Sequence, residues 1–181
     1  MSVAGVIAFV FGVLGVWLTI KQNILCWPAA LVSVIASAID FYTTRLFGDM
    51  ALQAFYFAAG VYGWIYWEQN RNKPFEVRKM PKKWMLPMIF ITGFQFLAYY
   101  FLLKYFKGAR PLLDGLLTAA SLTITYMMTK KWVENWILWV IVDGIYILLY
   151  ALTGLWSYSL LYLLFTVIAF YGWLKWKKVA Y

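Results

Sequence analysis

The sequence predicts an all-α integral membrane protein: seven transmembrane helices, arranged as two parallel three-helix repeats joined by a linker helix. Three observations predict it. Of the 181 residues, 65% are hydrophobic and 13% charged, whereas a soluble domain is roughly half apolar and about a quarter charged. Apolar runs of about 20 residues, the length that crosses a hydrocarbon core, recur along the chain. Finally, Tyr62-Gly-Trp-Ile-Tyr-Trp67 returns as Tyr171-Gly-Trp-Leu-Lys-Trp176, at an offset of 109 residues.

The first span runs from Val3 to Ile20 and carries no charge. No Lys or Arg precedes it and no clear small-residue cleavage site follows, so it reads as a helix rather than a signal peptide. Ala4, Ala8 and Gly12 form a small-residue stripe suited to close helix packing. Ile24 to Tyr42 is the second span and Met50 to Trp67 the third. Glu68 to Lys83 is a charged connector, and Trp84 to Leu103 is the fourth span. Leu112 to Thr129, Trp132 to Leu152 and Leu155 to Trp173 complete the set. The domain division that follows is 1–67 for the first repeat, 68–110 for the connector and linker helix, and 111–181 for the second repeat.

Seven spans place the termini on opposite sides. Four basic residues (Arg45, Lys104, Lys107, Arg110) then fall on the N-terminal side and the other twelve on the C-terminal side. The excess of Lys and Arg marks the cytoplasm, so the N-terminus is expected outside and the C-terminus inside. The same confinement to loops explains the net charge of +9 without nucleic acid.

Two motifs in the same order support a duplication. Besides the aromatic motif, Asn23-Ile-Leu-Cys-Trp27 pairs with Asn135-Trp-Ile-Leu-Trp139 at an offset of 112, making the second copy three residues shorter between the motifs. Three spans is an odd number, so one extra helix between the copies restores their orientation. Parallel repeats of this kind place a substrate site between them, near the membrane midplane.

The polar residues fall in stripes at helical spacing. In Glu134 to Tyr150, steps of three and four bring Asn135, Trp139, Asp143, Tyr146 and Tyr150 to one face. An amide, an indole, a carboxylate and two phenols cannot face lipid cheaply, so they face protein or a cavity. Asp49, Gln53, Tyr56 and Gly60 share a face of span three, with Tyr158, Tyr162 and Phe165 matching them in span seven. Asp114, Thr118, Ser121 and Thr125 form a hydroxyl stripe in span five, and span two offers Trp27, Ser33, Ser37 and Asp40. Aromatic walls suit a planar heterocycle, and amides and hydroxyls suit a sugar or carboxamide. Each stripe has a structural reading beside this one. Asn23 and Asn135 also suit helix caps, membrane hydroxyls commonly bond their own helix, and Trp near helix ends anchors at the interface.

Enzyme signals are absent from the sequence. Without histidine there is no Ser-His-Asp or Cys-His set and no His-ligated haem or zinc. The single cysteine, Cys26, cannot form an internal disulfide. No Walker A sequence occurs. The expectation is no catalytic residue, no metal and no cofactor.

These motifs resemble one family. Asn23 to Trp27-Pro28, Asp49-x-x-Leu52-Gln53-x-x-Tyr56 and Tyr62-Gly-Trp64-x-x-Trp67 in the first half are similar to the PnuC nicotinamide riboside transporters. So are Asp114-x-x-x-Thr118-x-x-Ser121, Glu134-Asn-Trp136-x-x-Trp139-x-x-x-Asp143 and Gly172-Trp173-x-x-Trp176 in the second. The resemblance spans essentially the whole chain. It implies a three-plus-one-plus-three fold like that of the SWEET sugar transporters, and a homotrimer. It also implies facilitated diffusion of nicotinamide riboside, a small-molecule vitamin, across the bacterial inner membrane, with a separate kinase trapping the product. Residues expected to bind substrate are Asn135, Trp139, Asp143 and Tyr146, with Gln53, Tyr56, Asn23, Trp27, Thr118 and Ser121 completing the shell. Carriage of thiamine or riboflavin, proton coupling through Asp143, and a non-transporting scaffold are the competing expectations.

Overall fold

The structure, a computed structural model, describes residues 2–43, 47–72, 76–106, 110–152, 154 and 156–180, with side chains throughout except at 47–49, 51, 157 and 158. The side chains of Asp49 and Tyr158, read above as facing a site, therefore lie outside the described set. Seven α-helices occur among the described residues: α1 (Val3–Ile20), α2 (Cys26–Thr43), α3 (Phe47–Gln69), α4 (Met85–Tyr105), α5 (Pro111–Thr129), α6 (Glu134–Leu152) and α7 (Trp156–Lys177). All but α3 are long and apolar enough to cross a membrane by length and composition. The 23 residues of α3 suffice for length, but its Tyr, Trp and Gln residues lower its hydropathy. The chain divides into two compact units, 1–75 and 76–181.

In the first unit, α2 packs against both α1 and α3. Ser2 caps α1 by accepting the Gly5 N–H at 2.9 Å, and its hydroxyl also donates to the Asp40 carboxylate on α2. Small residues then let the two helices approach closely. Ser33 donates to the Ala8 carbonyl at 2.7 Å. A Cβ on Gly12 would lie 3.2 Å from the Ser33 hydroxyl, and one on Gly15 would lie 3.4 Å from the backbone of Ala30 and Cys26. Ala8 and Gly12 from the predicted stripe thus serve the α1–α2 interface, and Gly5 and Gly15 extend it. Short contacts of this kind carry membrane helix association, because apolar side chains gain nothing by leaving lipid.

In the second unit, α6 packs against α5 and α7, and α4 packs against α5. Gly115 permits the α4–α5 approach, since its Cβ would sit 3.2 Å from the Tyr100 nitrogen. Thr123 ties the pair: its hydroxyl lies at hydrogen-bond distance, 2.8 Å, from the Thr92 hydroxyl and donates to the Gln95 Oε1 at 3.1 Å. The end of the connector is ordered by backbone pairing. Arg78 donates to the Lys131 carbonyl at 3.1 Å and accepts from the Val133 N–H at 3.0 Å. The Glu134 carboxylate accepts the Met80 N–H at 2.9 Å. Val77, 1% exposed, plugs this junction.

The repeat is real, but its register differs from the expected one. Shifting the first unit's helices by 109 residues lands α1 on 112–129, α2 on 135–152 and α3 on 156–178, within a residue of α5, α6 and α7 throughout. Among the described non-glycine residues, only Gln22 and Lys131 have positive φ, at 54° and 53°, and they too are 109 apart. Trp27 meets Trp67 edge-on at 5.5 Å, and Trp136 meets Trp176 edge-on at 5.3 Å. The structural partner of Trp27 is therefore Trp136, not Trp139, and Asn135 answers to Cys26. The Asn-x-x-x-Trp match at an offset of 112 was a coincidence in an aromatic-rich chain, and no three-residue shortening separates the copies.

The left-handed turn has a measurable cost. An L-residue there pays roughly 1–2 kcal/mol that glycine avoids, partly offset by the entropy glycine loses on folding. Gln22→Gly should therefore raise stability by about 0.5–1 kcal/mol, read as a higher midpoint of thermal unfolding in detergent. An unchanged or lower midpoint would mean that the Gln22 side chain contributes more than its backbone costs.

Candidate functional site

The site is clearest on α6 of the second unit. Asp143 lies in the third turn of that helix and is 5% exposed. Among the described residues no hydrogen bond or ion pair to its carboxylate is found. Trp139 and Tyr146, one turn to either side, are half-buried. Both pack on the cluster of Leu117, Ile124 and Val142, which fixes α6 against α5. The phenol ring of Tyr146 stacks on Tyr162 of α7 at 4.5 Å and on Tyr150 at 6.0 Å, with interplanar angles of 23° and 16°. Tyr162 and Tyr150 stack in turn at 5.5 Å. Tyr162 was among the aromatic residues singled out in span seven. The structure adds that it shares one stack with the phenols of α6.

On α5, Thr118 and Ser121 are 7% and 3% exposed. Among the described residues neither hydroxyl makes a hydrogen bond. Their neighbours behave differently: Thr125 donates to the Ser121 carbonyl at 2.8 Å and Thr129 to the Thr125 carbonyl at 3.1 Å. The hydroxyl stripe is thus split: Thr125, its last member, is committed to its own helix, and Thr118 and Ser121 are not.

Three expected site residues have structural surroundings. Asn23 is exposed, and its Oδ1 accepts the Leu25 N–H at 2.9 Å, in the turn that leads into α2. Asn135 is fully sealed, and its amide donates to the Trp132 carbonyl at 2.6 Å. Trp27, 2% exposed, lies flat over Gly63, where an added Cβ would come within 2.2 Å of the indole ring. Trp136 covers Gly172 in the same way, at 2.8 Å. Sequence reasoning placed neither glycine in a lock of this kind. The signal was available, because Gly63 and Gly172 occupy equal places in the repeated aromatic motif.

Gln53 and Tyr56 of α3 are half-buried, and each has an interaction within the chain. No group of three or more His, Cys, Asp or Glu that could hold a metal occurs among the described residues.

Comparison with known proteins agrees with this architecture. A crystal structure described as that of the vitamin B3 transporter PnuC superposes with a TM-score of 0.77 over 97% of this chain and 80% of its own, at 23% identity. Relatives named nicotinamide riboside transporter PnuC occur in Escherichia coli and Neisseria mucosa. The first is 28% identical over 93% of this chain and 82% of the relative. The second is 28% identical over 96% of this chain and 71% of the relative. The family profile described as nicotinamide mononucleotide transporter matches residues 2–178. With that span of the chain covered, the protein belongs to the nicotinamide mononucleotide transporter family and is a membrane transporter.

Proposed function

We propose that this transporter carries nicotinamide riboside by facilitated diffusion across a bacterial inner membrane, with its N-terminus outside and its C-terminus cytoplasmic. The observation that carries the reading is the Asp143 carboxylate, buried within a membrane helix and without a hydrogen bond among the described residues. An ionised group in that position needs a partner. The pyridinium ring of nicotinamide riboside supplies a positive charge on a flat aromatic body, which suits a carboxylate flanked by Trp139 and Tyr146. Thr118 and Ser121 offer two hydroxyls to the ribose.

The same carboxylate argues for the riboside over the mononucleotide. A phosphate brings negative charge toward Asp143, and the one buried Lys or Arg among the described residues, Lys131, precedes the N-terminus of α6, twelve residues before Asp143. Gln53 and Tyr56 as substrate contacts, and the homotrimer, rest on the family resemblance. Facilitated diffusion fits a chain with no nucleotide-binding sequence. Proton coupling is the second reading, because the same carboxylate could take a proton. Uptake into kinase-free vesicles that collapses with an uncoupler would establish it.

The test is thermal stabilisation in detergent by nicotinamide riboside, nicotinamide mononucleotide, thiamine and riboflavin at equal concentrations. A ligand at a hundred times its Kd stabilises the folded state by about 2.7 kcal/mol. The riboside should raise the midpoint most and the mononucleotide little. A larger shift with thiamine or riboflavin would replace the substrate, and equal shifts with riboside and mononucleotide would remove the charge argument.

A further inference from the structure

We propose that the groove between α4 and α5 holds an acyl chain of an anionic phospholipid, with the lipid phosphate resting on Lys79, Lys82 and Lys83. The groove has a volume of about 420 Å³ and is walled by Met85, Met88, Ile89 and Phe96 on one side and Leu116 and Met127 on the other. The two hydroxyls at its wall are already committed, Thr92 to the Met88 carbonyl at 2.8 Å and to Thr123 at 2.8 Å. What remains is apolar and fits an alkyl chain rather than a sugar or a heterocycle.

Its dimensions and setting suit a lipid. Met85 to Phe96 covers about 16 Å at the helical rise, close to the half-thickness of a hydrocarbon core of about 30 Å. The outward residues of α4 beside the groove, Phe90 and Phe94, are 70% and 76% exposed, so no other part of the chain covers this side of the helix. The floor is open at Gly93, where an added Cβ would meet nothing within 4 Å.

Charge selects the headgroup. Lys79 precedes the groove-lining Met80, and Lys82 and Lys83 form the 3-10 turn that leads into α4. All three are exposed, and among the described residues none forms an ion pair. Arg78 adds a fourth exposed cation. Of the nearby acids, Glu134 is occupied by the Met80 N–H, and Glu76 is exposed beyond Val77. A basic cluster at the membrane-surface end of an apolar groove matches an amphiphile with a negative head.

The experiment titrates the purified protein with phosphatidylglycerol and with phosphatidylcholine of the same chains, counting bound lipids by native mass spectrometry. Phosphatidylglycerol should bind the wild type about tenfold more tightly. The double variant Lys82→Gln, Lys83→Gln should lose that preference, and Gly93→Leu should weaken both lipids about tenfold. Gly93→Ala, a smaller filling, should act in the same direction, and circular dichroism checks that each variant is folded. Glycerol phosphate, the headgroup without chains, should not compete. Equal binding of the two lipids to the wild type would overturn the proposal, as would competition by glycerol phosphate or lipid binding indifferent to Gly93. A change in subunit number in Gly93→Leu with no change in lipid binding would make the groove an interface between copies, and would also overturn it.

Discussion

Gly63→Ala should destabilise the protein by about 3 kcal/mol, at the upper end of the usual cost of overpacking a core. The added Cβ would lie 2.2 to 2.5 Å from three ring carbons of Trp27. That ring has little room to retreat. It is 2% exposed and is held edge-on by Trp67 at 5.5 Å. Gly172→Ala repeats the experiment in the second unit, where the closest ring atoms of Trp136 are 2.8 to 2.9 Å away, so its loss should be smaller. Gly60→Ala should cost least of the three, because its nearest neighbour at 2.9 Å is a terminal methyl of Leu31, which can swing aside. The observable is the midpoint of thermal unfolding in detergent across the three variants. A Gly63→Ala protein as stable as wild type would mean that Trp27 does not lie on Gly63.

The two locks also explain a polar expense. The indole N–H groups of Trp27 and Trp136 are buried without a hydrogen bond among the described residues. A buried donor left unsatisfied costs about 1–3 kcal/mol. Both repeats place the unsatisfied donor at the same position, as expected if packing of the large ring on glycine outweighs it.

Much of the fold was legible because the membrane imposes simple demands. The limits of α1 agree with the apolar run Val3 to Ile20, since the first charge, Lys21, ends both. The repeat was visible through the Gly-Trp motif, where a glycine is needed under a ring and leaves little freedom to vary. Its register through α2 and α6 was not visible. The equivalent of Asn135 is Cys26 and that of Asn23 is Trp132, so the true alignment hides identity and a false one displays it. The ordering of the connector escaped for another reason. Arg78 pairs with Lys131 and Val133 through backbone groups, and peptide hydrogen bonds leave no mark in composition. In the site, Asp143 stood out because an acid in an apolar run is costly. The sealed surroundings of Asn135 and Trp27 could not be read from helical spacing, which gives a face but not the depth of cover over it.

Asp143→Asn should lower affinity for nicotinamide riboside ten- to a hundredfold, and this change separates the charge from everything else at the position. Asparagine keeps the shape and one carbonyl acceptor, loses the negative charge and puts an NH2 donor in place of the second oxygen. The loss of an interaction with a charged group is worth about 1.5–3 kcal/mol. The reduced riboside, whose dihydropyridine ring is neutral, supplies the control. If Asp143 acts by attracting the pyridinium, the variant should bind the reduced form nearly as well as wild type does, and its preference for the oxidised form should disappear. Thr118→Ala and Ser121→Ala give the contrast. A hydrogen bond to the ribose lost with either side-chain hydroxyl costs about 1 kcal/mol, and it should do so equally for both ring states. The measurement is competition for binding by the two forms in wild type and in the three variants. Equal losses for both forms in Asp143→Asn would make the residue a structural support of α6. No loss for either would remove it from the binding site and leave its burial to be explained by proton coupling.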